Sequence, residues 1–456
     1  MGWRGAGVRR RDAGHSSQGR GFELTWPNHN QSSRFHGTLQ EGLGCFIYPT
    51  KRFKTVTIHA AWVRELTEPD NALGAMLVEV MRRGTESWPE RIQVEARLEE
   101  LYGATFRADI GKLGDKQLLS FYITITHGQF LPGNPDTVRD ALDFLTEVLD
   151  RPHRVDGLFP SSVVDQEKTL LKRQIAAIIN DKGQYAMSRL MELVADGRRF
   201  GLRKLGTEKA VERVTPESLS QFYEAVHRDA TFLFTVVGDV DENMVQQYFS
   251  EHWRKPRHSL STIQPLYKEG EAKTVVEPSE VRQGKLNLAY RTHLTAQSHG
   301  FPALMMYSGI LGGFSHSKLF MNVREKASLA YYAYSRLDPA LALMFIGAGI
   351  EFKDYQAARD IIEAQVLAVK KGEFSEDEMT FTVKAYANDI LSEQDSPPQL
   401  IGRHLEEILV GGGQEGTALI ESLKTVTRDE IIQAASGVEL DTVFFLTEQE
   451  ESGHEE

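Results

Sequence analysis

The feature that most constrains this 456-residue chain is an echo between its two halves. Val-Thr-Pro-Glu-Ser-Leu begins at Val214 and is followed by Asp229-Ala-Thr-Phe-Leu-Phe-Thr; Val-Thr-Arg-Asp-Glu-Ile begins at Val426 and is followed by Asp441-Thr-Val-Phe-Phe-Leu-Thr. Thr215 to Asp229 and Thr427 to Asp441 are both fourteen residues apart. In each copy the threonine stands where it can cap a short helix, and an acid two residues on (Glu217, Asp429) lies in that helix's positive first turn. A β-rich stretch comes next in both. A repeated helix-then-strand ending predicts a duplicated domain. Strands mixed with helices in irregular order predict an α+β fold, each domain a mostly antiparallel sheet packed with helices.

The pattern along the chain places the boundaries. Residues 1–34 are Arg/Gly-rich and almost free of apolar residues, and read as a disordered tail without a secretory signal. The first domain is expected over 35–250, a linker over 251–272 where Pro, Ser and charge interrupt the periodicity, the second domain over 273–449, and an acidic tail over 450–456. Within the first domain, two strands flank a polar turn at Thr50–Lys54, and helices are expected over Asn71–Arg83, Ile92–Tyr102 (closed by Gly103), Thr137–Leu149 and Val164–Ile179. Leu118–Thr126 reads as a strand.

Composition then excludes several classes. No apolar run approaches the roughly 18 residues needed to cross a bilayer, so a membrane span is not expected. The single cysteine, Cys45, excludes an intrachain disulfide framework and a thiolate-rich metal site, and its apolar setting reads as structural. The net charge is -12; the first 34 residues carry six Arg against Asp12 and Glu23, which leaves -16 on the remainder. So acidic a body argues against nucleic acid, whose affinity rests on neutralised phosphates; it suits a basic peptide, and solubility alone explains it at least as well. The run GGGQEG at Gly411–Gly416 matches a dinucleotide pattern only in letters, because a helix precedes it where a strand is required; it reads as a loop.

Three segments carry a resemblance. ILGGFSHSKLFMNVREKASLAYYAYS (Ile310–Ser335) is similar to the glycine-loop, helix and strand signature of the pitrilysin-like zinc peptidases. FGLRKLGTEKAVERVTPESLSQFYEAV with FTVVGDV (Phe200–Val240) resembles the close of that family's N-terminal domain, and NALGAMLVEVMRRGT with RLEELYGATFRADIG resembles its metal-site helix and the segment beyond that helix. The resemblance runs from about residue 40 to 447 and implies two homologous domains of the mitochondrial-processing-peptidase-like metallohydrolase fold, facing each other across a chamber.

The family's catalytic helix carries His-x-x-Glu-His before a Gly-Thr. The two His bind zinc from one helix face and the Glu is the base on the metal-bound water. Aligned on Gly84-Thr85, these positions are Ala75, Val78 and Glu79, and the distal carboxylate ligand falls on Gln174. The metal set is therefore erased, and no two of the fourteen His lie within five positions to replace it. The resemblance also implies an Arg and a Tyr from the second domain that reach the substrate; these map onto Arg324 and Tyr331, a guanidinium and a phenol suited to a developing oxyanion. Residue type alone favours the plainer reading, Arg324 on a solvated helix face and Tyr331 as an ordinary strand aromatic; the functional reading comes from the resemblance. Gly312 and Gly313 are expected to make a tight turn, with close approach of substrate backbone as the alternative.

The implied function is that of a non-catalytic subunit of a heterodimeric zinc endopeptidase, of the bacterial two-domain branch and cytoplasmic. It would have no cofactor of its own, zinc in a related partner subunit bearing His-x-x-Glu-His, and a peptide as substrate. The alternative is an inert peptide-binding or scaffolding protein, tied to peptide maturation or to elongation factor P modification as some pairs in the family are by name.

Overall fold

The structure is a computed structural model and describes residues 34–266, 270–414 and 416–449. The expected tails at 1–33 and 450–456 lie outside the described residues. The first half runs β1 (His36–Gln40), β2 (Leu43–Pro49), β3 (Thr55–Glu65), α1 (Asp70–Met81), α2 (Arg91–Glu100), β4 (Thr105–Leu113), β5 (Lys116–Thr126), α3 (Thr137–Asp150), α4 (Ser161–Asn180), α5 (Lys182–Ala195), α6 (Glu208–Glu212), α7 (Pro216–Asp229), β6 (Thr231–Gly238) and α8 (Glu242–His252). The second half runs β7 (Lys273–Ser279), β8 (Gly284–Arg291), α9 (Phe301–Ser308), β9 (Ala330–Asp338), β10 (Leu343–Ile350), α10 (Tyr355–Lys370), α11 (Glu376–Glu393), α12 (Pro397–Val410), α13 (Gly416–Thr425), α14 (Arg428–Ser436) and β11 (Glu439–Glu448).

Two sheets result, ordered β1-β2-β6-β3-β5-β4 and β7-β11-β8-β10-β9. Pairing is antiparallel except β2 with β6 and β7 with β11. The halves are thus built alike: a central antiparallel trio, a parallel neighbour on one side, and an open edge, β4 or β9, on the other. The echo is the capping box expected. Thr215 and Thr427 accept from the backbone N–H of Ser218 (3.2 Å) and Glu430 (3.3 Å) respectively. The copies differ in length, since α7 extends through Asp229 before β6 opens, whereas Asp441 already lies within β11.

The packing corrects one expectation. The halves do not face each other across a chamber; they share a core. One apolar cluster belongs to the first sheet's outer layer and another to the second's, while a third joins Ala61, Val63, Leu233 and Val237 to Ala289, Phe345, Phe444 and Leu446. The physical reason lies in the strands: β6 and β10 are buried at every position, so both faces of each sheet need cover. Each half supplies it for the other. Helix α5 lies on β8 and β11, and α12 lies on β3 and β6.

The connection between the halves is pinned as well. Ile263 and Leu266 are buried, and their amides donate to Leu409 O (3.3 Å) and Leu341 O (2.9 Å). Arg257 and His258 donate in turn to Glu41 O and Asp229 O. These backbone bonds tie an irregular segment to both halves, although most of its side chains, Arg254, Lys255 and Ser259 among them, are exposed.

Candidate functional site: an erased metal centre and a displayed Arg/Tyr pair

Helix α1 lies in the outer layer of the first sheet with nine of its twelve residues buried. Gly74 allows the close approach: a Cβ there would stand 2.5 Å from Gln117 Oε1, and Gln117 in turn donates to Asn71 O and Lys204 O. The Gly84-Thr85 pair that fixes the sequence register is demanded by the turn after the helix. A Cβ on Gly84 would meet Pro89 O at 2.3 Å, and Thr85, fully buried, exchanges hydrogen bonds with Trp88.

On that register Ala75 and Val78 are core residues, 1% exposed each, with nothing to offer a metal or a proton. Glu79 is half-buried and pairs with Arg82 at 3.0 Å. Burial pushes its carboxyl above the usual range, and the charges of Glu167 and Asp109 add to the effect against the pull of Arg82 and Arg83. Gln174 is exposed, at the margin of the buried face of α4. The residue that α4 brings to this place is Glu167, two turns earlier, buried and ion-paired with Arg83.

The Arg83–Glu167 pair is a feature that sequence reasoning misses. The signal available is a basic residue immediately before Gly84 and an acid on the expected α4, which becomes a pair only when the topology sets the two helices together. Where the family holds a dication, this chain sets two guanidinium groups among carboxylates. Among the described residues no group of three His, Cys, Asp or Glu converges to hold a metal. A zinc ion does not fit here: no imidazole is present, one ligand position is methyl, and the buried carboxylate is already neutralised.

The second half is different. Helix α9 continues as a π-helical turn, Gly309–Gly313, and a second π-helical segment spans Phe320–Lys326. Such i→i+5 turns cost helical regularity and recur at functional places. Arg324 lies on the second of them. Its guanidinium rests 4.7 Å from the Phe320 ring centroid and its Nε lies 3.6 Å from Glu325, with the side chain 42% exposed.

Tyr331 lies on β9, the open edge, at a β-bulge: Ala330 pairs with Ile350 and Tyr332 with Gly349, so Tyr331 is the extra residue. It is 77% exposed, an unusual display for a tyrosine. A bulge re-aims a side chain without breaking the strand. Among the described residues β9 packs chiefly against β10, α9 and the two π-helical segments, in the second half, whereas α1 and α4 belong to the first.

The glycine expectation needs correction. Gly312 and Gly313 close a π-helical turn, with no left-handed residue between them. Gly312 is buried, and a Cβ there would collide with the backbone of Tyr334 and Ser335, at 2.9 and 2.5 Å. It lets the helix press on β9 and cannot meet a substrate. Gly313 is exposed, and a Cβ there would make only ordinary contacts, the nearest 3.6 Å from Ser308 O. Elsewhere the sequence reading holds: Cys45 is a desolvated thiol pushed up to about 12, and Gly411, at φ 88°, ends α12 at the expected loop. No helix among the described residues is long and apolar enough to cross a membrane.

The family model described as "Peptidase M16 inactive domain" matches residues 213–386, the span that holds α7, β6 and the displayed Arg/Tyr pair. "Probable inactive metalloprotease YmfF" of Bacillus subtilis is 34% identical over 428 residues, which covers 91% of this chain and 97% of that protein. Among solved structures, a conserved protein from Enterococcus faecalis superposes with a TM-score of 0.84 at 28% identity, over 90% of this chain and 98% of that one. A peptidase M16 inactive domain from Pseudomonas fluorescens shares the fold, with a TM-score of 0.73 at 16% identity over 91% and 98% of the two chains. The chain belongs to the M16 peptidase family, the pitrilysin-like metallopeptidases, as a member without catalytic activity of its own.

Proposed function

We propose that this chain is the non-catalytic subunit of a two-chain zinc endopeptidase: it binds an extended peptide and lends Arg324 and Tyr331 to the active site of a related, zinc-bearing subunit. The observation that carries the reading is an asymmetry. Every position of the metal helix is lost, while the Arg and Tyr stand exposed, one on a π-helical turn and one on a bulge. Free edges add support for peptide binding. β4 and β9 each have a partner on one side only, and main-chain hydrogen bonding to an open edge is a general mode of peptide capture. β4 also passes the erased centre, since Asp109 acts electrostatically on Glu79.

The reading is tested by mixing the purified chain with an M16 relative that carries His-x-x-Glu-His. Peptide hydrolysis should rise steeply on mixing and track a 1:1 complex. A relative equally active alone, with no association, would leave the scaffolding role as the better account.

A further inference from the structure

A cavity of about 190 Å³ lies between α4, α5 and the loop 201–206, close to the far end of β4. Its helical walls are mostly apolar and adaptable, Ile175 and Ile178 from α4 and Met187 and Met191 from α5, with Ser188 beside them and Arg203, already paired with Glu192, in the loop. An apolar void of ~150 Å³ already admits benzene, so one leucine- or methionine-sized side chain fits. Two ammonium groups also line it, from Lys112 on β4 and Lys204 in the loop.

Those two lysines are incompletely used. Lys112 Nζ donates to Phe200 O and to Leu202 O (2.9 Å), and Lys204 Nζ donates to Ile110 O (2.8 Å). An ammonium has three donors, so one remains on Lys112 and two on Lys204. Among the described residues neither has a carboxylate within 4.0 Å. The acids that act on Lys112 from farther away are Asp338, which is half-buried and accepts from Leu341 N, and Glu192, which is held by Arg189 and Arg203. Burial pushes the Lys112 ammonium down to about 8, so its charge is held at a cost that an anion would relieve. In a chain of net charge -12, two under-used cations beside an apolar cavity are the complement of a carboxylate attached to an aliphatic group.

The position on the sheet narrows the ligand. Lys112 comes three residues after Asp109 on β4, about 10 Å at ~3.3 Å per residue. A strand laid on the open edge of β4 beside the erased centre would reach the cavity within a few residues. We propose that this cavity receives the C-terminus of the bound peptide: an aliphatic last side chain between α4 and α5, its free carboxylate on Lys112 and Lys204. The inference rests on the peptide-binding reading above and names the end of the peptide that is read.

The experiment uses the full chain and a fluorescein-labelled, valine- and threonine-rich peptide ending in leucine, with a free C-terminal carboxylate or as its amide, monitored by fluorescence anisotropy. The free acid should bind roughly tenfold or more tightly than the amide, as expected for losing charge-assisted hydrogen bonds. Lys112→Gln and Lys204→Gln keep a donor for the backbone carbonyls and should each shrink that preference while leaving the amide's affinity unchanged. Equal affinity of acid and amide would overturn the carboxylate receptor and leave peptide binding standing. No binding of either form would overturn both. Decanoate displacing neither peptide is expected; tight decanoate binding without peptide binding would make this a fatty-acid site instead.

Discussion

In a complex with a zinc-bearing relative, Tyr331→Phe should lower peptide turnover on the order of a hundredfold while assembly is unchanged, as typically results from removing one preorganised oxyanion donor. The substitution deletes a hydroxyl from a side chain that is 77% exposed, so no packing is lost and the folded state should not register it. Arg324→Ala should behave similarly in turnover; its charged and aromatic companions among the described residues are the Phe320 ring and Glu325 on its own segment. If both groups serve one intermediate, the double substitution costs less than the sum of the two in free energy. Steady-state and single-turnover rates of the wild-type and substituted complexes make the comparison. Wild-type rates from the doubly substituted complex would rule out a role in trans for the pair and favour an inert scaffold.

The second large effect is on stability. Arg83→Ala removes the guanidinium from a Glu167 carboxylate that is 2% exposed, and breaking a buried pair from one side costs about 3–5 kcal/mol, because the partner is left charged without compensation. The denaturant midpoint of the isolated chain should fall accordingly. Arg83→Ala combined with Glu167→Leu should recover most of the loss, since an apolar replacement of both partners is often neutral. A single-variant change of a few tenths of a kcal/mol would mean that water, not Arg83, solvates Glu167, and that the guanidinium has not taken over the place of the metal.

How far the sequence carries these conclusions depends on which contacts are local. The capping threonines, the α1 register on Gly84-Thr85 and the strand–turn–strand at β2–β3 are set by residues a few positions apart, and the structure agrees with them closely. The relation between the halves is not of that kind. That α5 covers β8 and β11 while α12 covers β3 and β6 depends on apolar positions far apart in sequence, such as Ala195 and Ala289, which no periodicity reveals.

The site divides in the same way. Ala75, Val78 and Glu79 are legible as a lost metal set because their spacing on one helix is enough to judge it. Gln174 rests on analogy with a distant helix, and the structure puts it in solvent while Glu167 takes the inner position. Tyr331 is a candidate by resemblance alone; its display depends on a bulge set by the register between β9 and β10, which the sequence does not announce.

The claim on which the rest depends is that this chain holds no catalytic metal. It is tested most directly by elemental analysis of the purified, full-length chain after dialysis against zinc at micromolar concentration and removal of free metal. The account predicts far less than one zinc per chain, with the little retained unaffected by Glu79→Ala. One tightly held zinc per chain that Glu79→Ala abolishes would contradict it, and would return this chain to the enzymes of its family.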